Sequence, residues 1–118
     1  MRHTIALLVL FSVGAQAQVH PSQDLALHEK FYSNWHMPDD PTKSCCNMAD
    51  CYPTEIRTVD SRIYAQRRED GKWLLIPPQK VERNRDNPDG RNHICAPPPT
   101  ARSYPPDTVF CFSLGGAI

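Results

Sequence analysis

The chain of 118 residues carries 13 Lys and Arg against 13 Asp and Glu, a formal net charge of zero. The signs are interspersed, as in Arg67-Arg68-Glu69-Asp70 and in the run from Lys80 to Asp86. That excludes the uncompensated basic stripe with which a nucleic-acid binder displaces counterions. No stretch is apolar over the about 20 residues that a membrane-spanning helix requires.

Residues 1–17, MRHTIALLVLFSVGAQA, have a short basic start, an apolar run from Ile5 to Val13 and the small-x-small triplet Ala15-Gln16-Ala17. This pattern predicts a signal peptide of the general secretory type, cleaved between Ala17 and Gln18. The apolar run is too short for a retained anchor, and no lipid-acceptor cysteine follows the site. The expected location is periplasmic or secreted, with residues 18–118 forming one small domain ordered from about 22 to 113. All 12 prolines fall in that part, more than double the usual ~5%, so much of it must be loop or extended backbone.

Ser22 is suited to cap a helix reaching about Met37, with Asp24 in its first turn. Leu27, Phe31 and Trp35 recur at i, i+4 and i+8 along one stripe of it, and Pro38 stops it. A loop over 38–43 leads into SCCNMADC at 44–51, where Ser44 is suited to cap a single helical turn ended by Pro53. Short strands follow, the first over 56–59. Residues 62–68 and 72–76 form the clearest hairpin, turned by Asp70-Gly71. In that hairpin Ile63 and Ala65 are expected to share the buried face with Trp73 and Leu75, and Tyr64 to point away. Residues 79–84 make a turn or short helix, and Asn87-Pro88-Asp89-Gly90 is a strong turn signal. Strands over 92–95 and 108–112 close the chain, joined by a proline-rich connection at 96–107, and Gly115-Gly116 marks a frayed tail. The predicted fold class is α+β: one N-terminal helix packed on a small antiparallel β-sheet with long Pro-rich loops, stapled by disulfides.

The five cysteines support three readings. In an oxidising compartment the first is structural bridges. Cys95 and Cys111 lie near the ends of two partner strands, and closing the loop between them would stabilise by about 3 kcal/mol in the chain-entropy model. A second bridge would join Cys51 to Cys45 or Cys46; alternatively the Cys45-Cys46 pair reaches across to the sheet, or the two bond to each other in a strained ring. One cysteine is left over and could link two copies of the chain. The second reading is a Zn or Cu site on Cys45, Cys46, Cys51 and His93 or His36, since these metals take thiolate and imidazole ligands. The spacing is not the usual C-x₂₋₄-C knuckle, although His93-x-Cys95 puts both side chains on one face of a strand. The third reading is thiol redox chemistry at Cys51 beside Asp50, without the C-x-x-C that such enzymes carry at a helix start.

Other polar clusters have ordinary explanations. His28 and His36 read as surface histidines two turns apart. Asp39-Asp40 reads as a solvated loop, because acid–base catalysis needs carboxyls converging from different elements. Trp35 and Trp73 could line a groove for a sugar or peptide, but their periodic apolar neighbours point to the core. No serine sits in a nucleophile-elbow context, and there is no phosphate-cradling glycine loop. No catalytic or cofactor-binding residue is nominated.

The order of landmarks is Phe31-Tyr32-x-x-Trp35, SCCNMADC at 44–51, Gly71-x-Trp73 with Pro77-Pro78-x-Lys80-Val81, PDGRNHIC at 88–95 and VFCF at 109–112. It resembles a group of short exported proteins of alphaproteobacteria, rhizobia among them, which carry the same CC…DC, PDG-x-x-H-x-C and CF pattern. The resemblance covers most of the chain after residue 17. It implies a periplasmic or secreted location, draws attention to His93, and carries over no activity. The expected function is that of a small non-enzymatic envelope or secreted module, binding an unknown protein or envelope component through its proline-rich loops.

Overall fold

The structure is a computed structural model that describes residues 28–46, 50–83 and 85–116. The expected signal peptide, residues 22–27 of the expected helix and residues 47–49 of the cysteine-rich run lie outside these residues. Within them the chain forms short strands in three sheets, with no α-helix. The predicted α+β class is therefore corrected to an essentially all-β architecture.

The first correction concerns the helix expected to reach Met37. A single five-residue π-helical turn spans His28–Tyr32, and strand β1 (His36–Met37) follows at once. The backbone explains the early stop. Trp35 N donates to Tyr32 O (3.2 Å), and Trp35 O accepts from Cys45 N (2.8 Å), so the carbonyl that would continue a helix is bonded to a distant segment instead. Strand β2 (Asp40–Ser44) then pairs antiparallel with β1, His36 opposite Ser44, where a loop had been expected over 38–43. A short helix is marginal without packing, and here packing prefers the turn. Phe31, Tyr32 and Trp35 are all buried. Arg85 sits 4.5 Å above the Phe31 ring and donates to the Phe31 carbonyl and to Asn34 Oδ1.

The centre of the molecule is a four-stranded sheet in the order β3 (Cys51–Thr54), β8 (Asn92–Cys95), β9 (Cys111–Ser113), β7 (Val81–Glu82), antiparallel except for β7 against β9. Pro53, expected to end a helical turn, lies inside β3. Both faces of this sheet are covered, which is why His93, Ile94 and Cys95 are consecutively buried instead of alternating. On one face Phe31, Tyr32, Trp35, Cys45 and Phe110 pack with Cys51, Cys95 and Cys111. On the other, Tyr52, Ile94, Ala96 and Phe112 pack with Ala65, Leu74, Ile76 and Val109.

That second layer rests on a three-stranded antiparallel sheet, β4 (Ile56–Val59), β5 (Arg62–Gln66) and β6 (Trp73–Leu75). The hairpin β5–β6 stands where the sequence placed it, and Gly71 takes the positive φ (71°) expected of it. Its faces are the reverse of the expectation in β6. Arg67 N donates to Lys72 O (2.8 Å), which sets Ala65 opposite Leu74 and Gln66 opposite Trp73. Leu74 and Ile76 therefore point into the core, while Trp73 and Leu75 join Tyr64 on the outer face. A one-residue slip exchanges the faces of a strand, and here the turn length decides it.

Two turns supply tests. Asp60 and Ser61 join β4 to β5 with φ of 51° and 65°, both in the left-handed region without being glycine. Such a two-residue turn prefers Asn-Gly, so Asp60→Asn with Ser61→Gly should raise stability by about 1 kcal/mol, read as a higher thermal midpoint. The tail is less frayed than expected: Gly115 N donates to Asn92 Oδ1 (2.8 Å). A Cβ at Gly115 would meet Gly90 O at 2.5 Å and Arg91 C at 2.7 Å, whereas one at Gly116 would meet nothing within 4 Å. Gly115→Ala should cost about 1–3 kcal/mol in chemical denaturation, and Gly116→Ala nothing measurable.

Candidate functional site

The cysteines stand at the centre of the first layer. Cys51, Cys95 and Cys111 lie in one row across β3, β8 and β9, each directly opposite the next. The expected strand partnership of Cys95 and Cys111 is present, but the bridges are Cys51–Cys95 and Cys45–Cys111, and Cys46 is the thiol left over. The expected Cys95–Cys111 bond, and Cys51 bonded to Cys45 or Cys46, are thus corrected; Cys45 does reach across to the sheet. Strand parity accounts for the choice. Ala96 N donates to Asp50 O (3.0 Å), which makes Cys51–Cys95 the close, non-hydrogen-bonded kind of pair. Their Cα atoms are 4.1 Å apart. Cys95 turns its backbone toward β9, where it accepts from Phe110 N (2.8 Å), so its pairing with Cys111 is the wider kind. Cys111 is left to the incoming Cys45, at a Cα separation of 5.6 Å.

His93, two residues before Cys95 on the same face, has no solvent exposure. Its Nδ1 lies 2.6 Å from the Tyr32 hydroxyl and its Nε2 lies 2.7 Å from Asp89 Oδ1. The carboxylate only accepts, so Nε2 carries the proton and Nδ1 accepts from Tyr32. Burial lowers the His93 pKa, and Asp89 only partly opposes this. Burial alone would raise the Asp89 pKa, but hydrogen bonds from His93 and Arg91 prevail and lower it. The neutral imidazole is thereby fixed in one tautomer and joins three segments: the N-terminal turn, the Asn87–Gly90 turn and β8. The turn is held independently. Gly90 N donates to Asn87 O (3.0 Å), Arg91 N and Nε donate to the Asp89 carboxylate (3.0 and 2.7 Å), and Ser113 Oγ donates to Asn87 Oδ1 (2.6 Å).

This arrangement bears on the metal and redox readings. A Zn or Cu site on Cys45, Cys46, Cys51 and His93 loses two thiolates to the bridges and the free imidazole nitrogen to Tyr32. His36 is exposed and bonds to Asn34 O. Among the described residues no group of three or more His, Cys, Asp or Glu side chains converges as a metal site would require. Redox chemistry at Cys51 meets a buried sulfur already bonded to Cys95. Cys46 is half-buried, and burial pushes its thiol pKa up, the opposite of an activated thiol. Asp39 and Asp40 diverge: Asp39 pairs with Lys80 (2.9 Å), and Asp40 bonds Thr42 Oγ1 (2.6 Å). Trp35 is fully buried, as expected, but Trp73 is not a core residue.

The surface offers open clefts. One, of about 430 Å³, lies under the proline-rich connection and is lined by Arg67, Lys72, Pro98, Arg102, Tyr104 and Asp107, among others. The connection is pinned to the stapled centre. Tyr104 stands edge-on to Phe110 at 4.9 Å, Thr108 Oγ1 donates to Pro105 O (2.6 Å), Ala101 N donates to Pro98 O (3.0 Å), and Asp107 pairs with Lys72 (2.9 Å). Asp107 takes a positive φ of 63° to do so. Arg67, almost wholly buried, donates to both carboxylate oxygens of Asp70 (2.9 and 2.6 Å) and lies 3.9 Å from Asp107. The guanidinium holds the Asp70 pKa down at about 2.

Sequence reasoning missed Tyr32 and Asp89 as partners of His93, although the His93-x-Cys95 spacing placed the histidine on the buried sulfur face. It also missed Arg67 as the charged support of the connection. Comparison with protein-family models, with curated proteins and with solved structures found no match.

Proposed function

We propose that this chain is an exported, non-enzymatic binding module whose disulfide-stapled centre presents the 96–107 connection to a protein or envelope component. The observation that carries the reading is the way this connection is held. Tyr104 packs edge-on against the buried Phe110, Asp107 pairs with Lys72 and lies 3.9 Å from the buried Arg67, and Thr108 holds the Pro105 carbonyl, while Tyr104, Pro105 and Pro106 stay exposed. Preorganised exposed loops bind at a lower cost in ordering than free ones, and loops on rigid scaffolds are where binding residues concentrate. The two bridges and the alphaproteobacterial resemblance support a periplasmic or secreted location.

Two measurements test the reading. Intact mass of native material should show a start at Gln18, two bridges and one alkylatable thiol; a chain retaining Met1 or offering five free thiols counts against it. A photo-crosslinking residue at Tyr104 should give a discrete adduct in the native compartment. That adduct should vanish when Pro105 and Pro106 are replaced by glycine, and the absence of any discrete adduct removes support for the loop.

A further inference from the structure

Strand β4 is an open edge with a defined chemistry. Ile76 N donates to Ile63 O (2.9 Å), so Ile63 turns its backbone toward β6. Thr58 lies opposite Ile63 and so turns its own N–H and C=O away from β5. Gln66 N donates to Glu55 O (3.2 Å), which gives Ile56 the same outward parity. Among the described residues no bond reaches these edge groups of Ile56 and Thr58. Only another peptide backbone can satisfy them in register. At β6 the corresponding edge is three residues long and runs into Pro77, which has no N–H to offer.

The side chains beside this edge select the partner. On the outer face of β4–β5–β6, Arg57 lies 4.1 Å over the Trp73 ring. Arg57 and Arg62 are both exposed, and among the described residues neither has a carboxylate partner, unlike Arg67, Arg68 and Arg91. Val59 (51% exposed) and Leu75 (44%) add apolar surface to the same face. A second copy of the chain is a poor fit. The register that satisfies all the edge groups sets Ile56 against Thr58 of the other copy and brings Arg57 opposite its own counterpart, and like charges directly opposite are destabilising.

We propose that β4 is the docking edge for an extended acidic segment of a partner protein, which adds as a fourth strand with a carboxylate opposite Arg57. The proposal rests on the binding-module reading and gives that module a second, chemically specified surface. It predicts the partner's pattern: residues bonded to Ile56 and Thr58 carry β-branched side chains on the inner face, and the residue between them is acidic on the outer face.

The test uses the oxidised full-length protein, isotopically labelled, and a synthetic peptide Thr-Val-Glu-Val-Thr compared with its Glu→Lys form. The glutamate peptide should slow amide exchange at Ile56 and Thr58, and the lysine form should bind about fivefold more weakly. Arg57→Glu should reverse that preference. Thr58→Pro removes only an outward N–H, a position where an edge strand tolerates proline, so it should keep the thermal midpoint and lose the peptide. Equal binding of the two peptides, binding of neither, or protection appearing at 96–107 instead of Ile56 and Thr58 would overturn the proposal. None of these outcomes touches the Tyr104 adduct, so the edge can fail while the module reading stands.

Discussion

Replacing Cys51 and Cys95 together by alanine is expected to lower the unfolding free energy by about 4 kcal/mol. The bridge closes a loop of 44 residues, and Cys45–Cys111 closes one of 66 around it. In the chain-entropy model each long loop restricts the unfolded chain more than the 15-residue loop that a Cys95–Cys111 bond would have closed. A small domain has a net stability of only about 5–15 kcal/mol, so losing either bridge brings it close to unfolding at ambient temperature. Cys45→Ala with Cys111→Ala should have an effect of the same order. Cys46→Ala is the comparison: its sulfur is in no bridge but packs against the same core, so it should cost about 1 kcal/mol, well below the loss of either bridge. A large loss at Cys46, with little at Cys45, would mean that the neighbouring cysteines have exchanged roles.

His93→Ala should cost about 4 kcal/mol. The substitution empties a site with no solvent exposure and takes the acceptor from Tyr32 and a donor from Asp89. Buried polar groups left unpaired cost about 1–3 kcal/mol each, and the cavity adds to that. His93→Phe fills the space, so the difference between the two variants separates cavity from hydrogen bonds. Tyr32→Phe, which removes one bond, should cost about 1 kcal/mol. The site also sets the acid response. The folded His93 pKa lies below its ordinary 6.5 because burial disfavours the cation. The unfolded chain therefore takes up a proton first as pH falls, and stability is full above 6.5 and declines below it. Asp89, whose folded pKa is lowered, adds a second loss as pH falls through and below 3.8. Thermal midpoints followed from pH 7 downward should show the first decline in the wild type, and His93→Phe should flatten it.

Local signals in the sequence predicted local structure well. Alternation and turn residues placed β4, β5, β6 and β8, and Asp70-Gly71 and Asn87-Pro88-Asp89-Gly90 marked their turns. The errors share a cause. The Leu27, Phe31, Trp35 spacing satisfies a helix, but Trp35 O is taken by Cys45 N, a contact that no local pattern encodes. In β6, three consecutive apolar residues leave the inward face open, and the closing of the loop at Arg67 and Lys72 decided it. The Asp60-Ser61 turn lacks the glycine that advertises such turns. The bridges depend on which pairs across strands are close and which are wide, a parity that appears only once register is known. The Tyr32–His93 bond spans 61 positions, and neither residue alone announces it.

The outer bridge encloses the inner one, and this nesting bears on how an exported chain matures. If the chain is exported as proposed, Cys45, Cys46 and Cys51 would cross a membrane well before Cys95 and Cys111, and an oxidant acting on the emerging polypeptide would join the early three among themselves. Reaching the nested pattern then requires either delayed oxidation or a later reshuffling by thiol–disulfide exchange. In that exported form the chain should depend on a disulfide isomerase more than a protein whose cysteines bond in the order of their arrival.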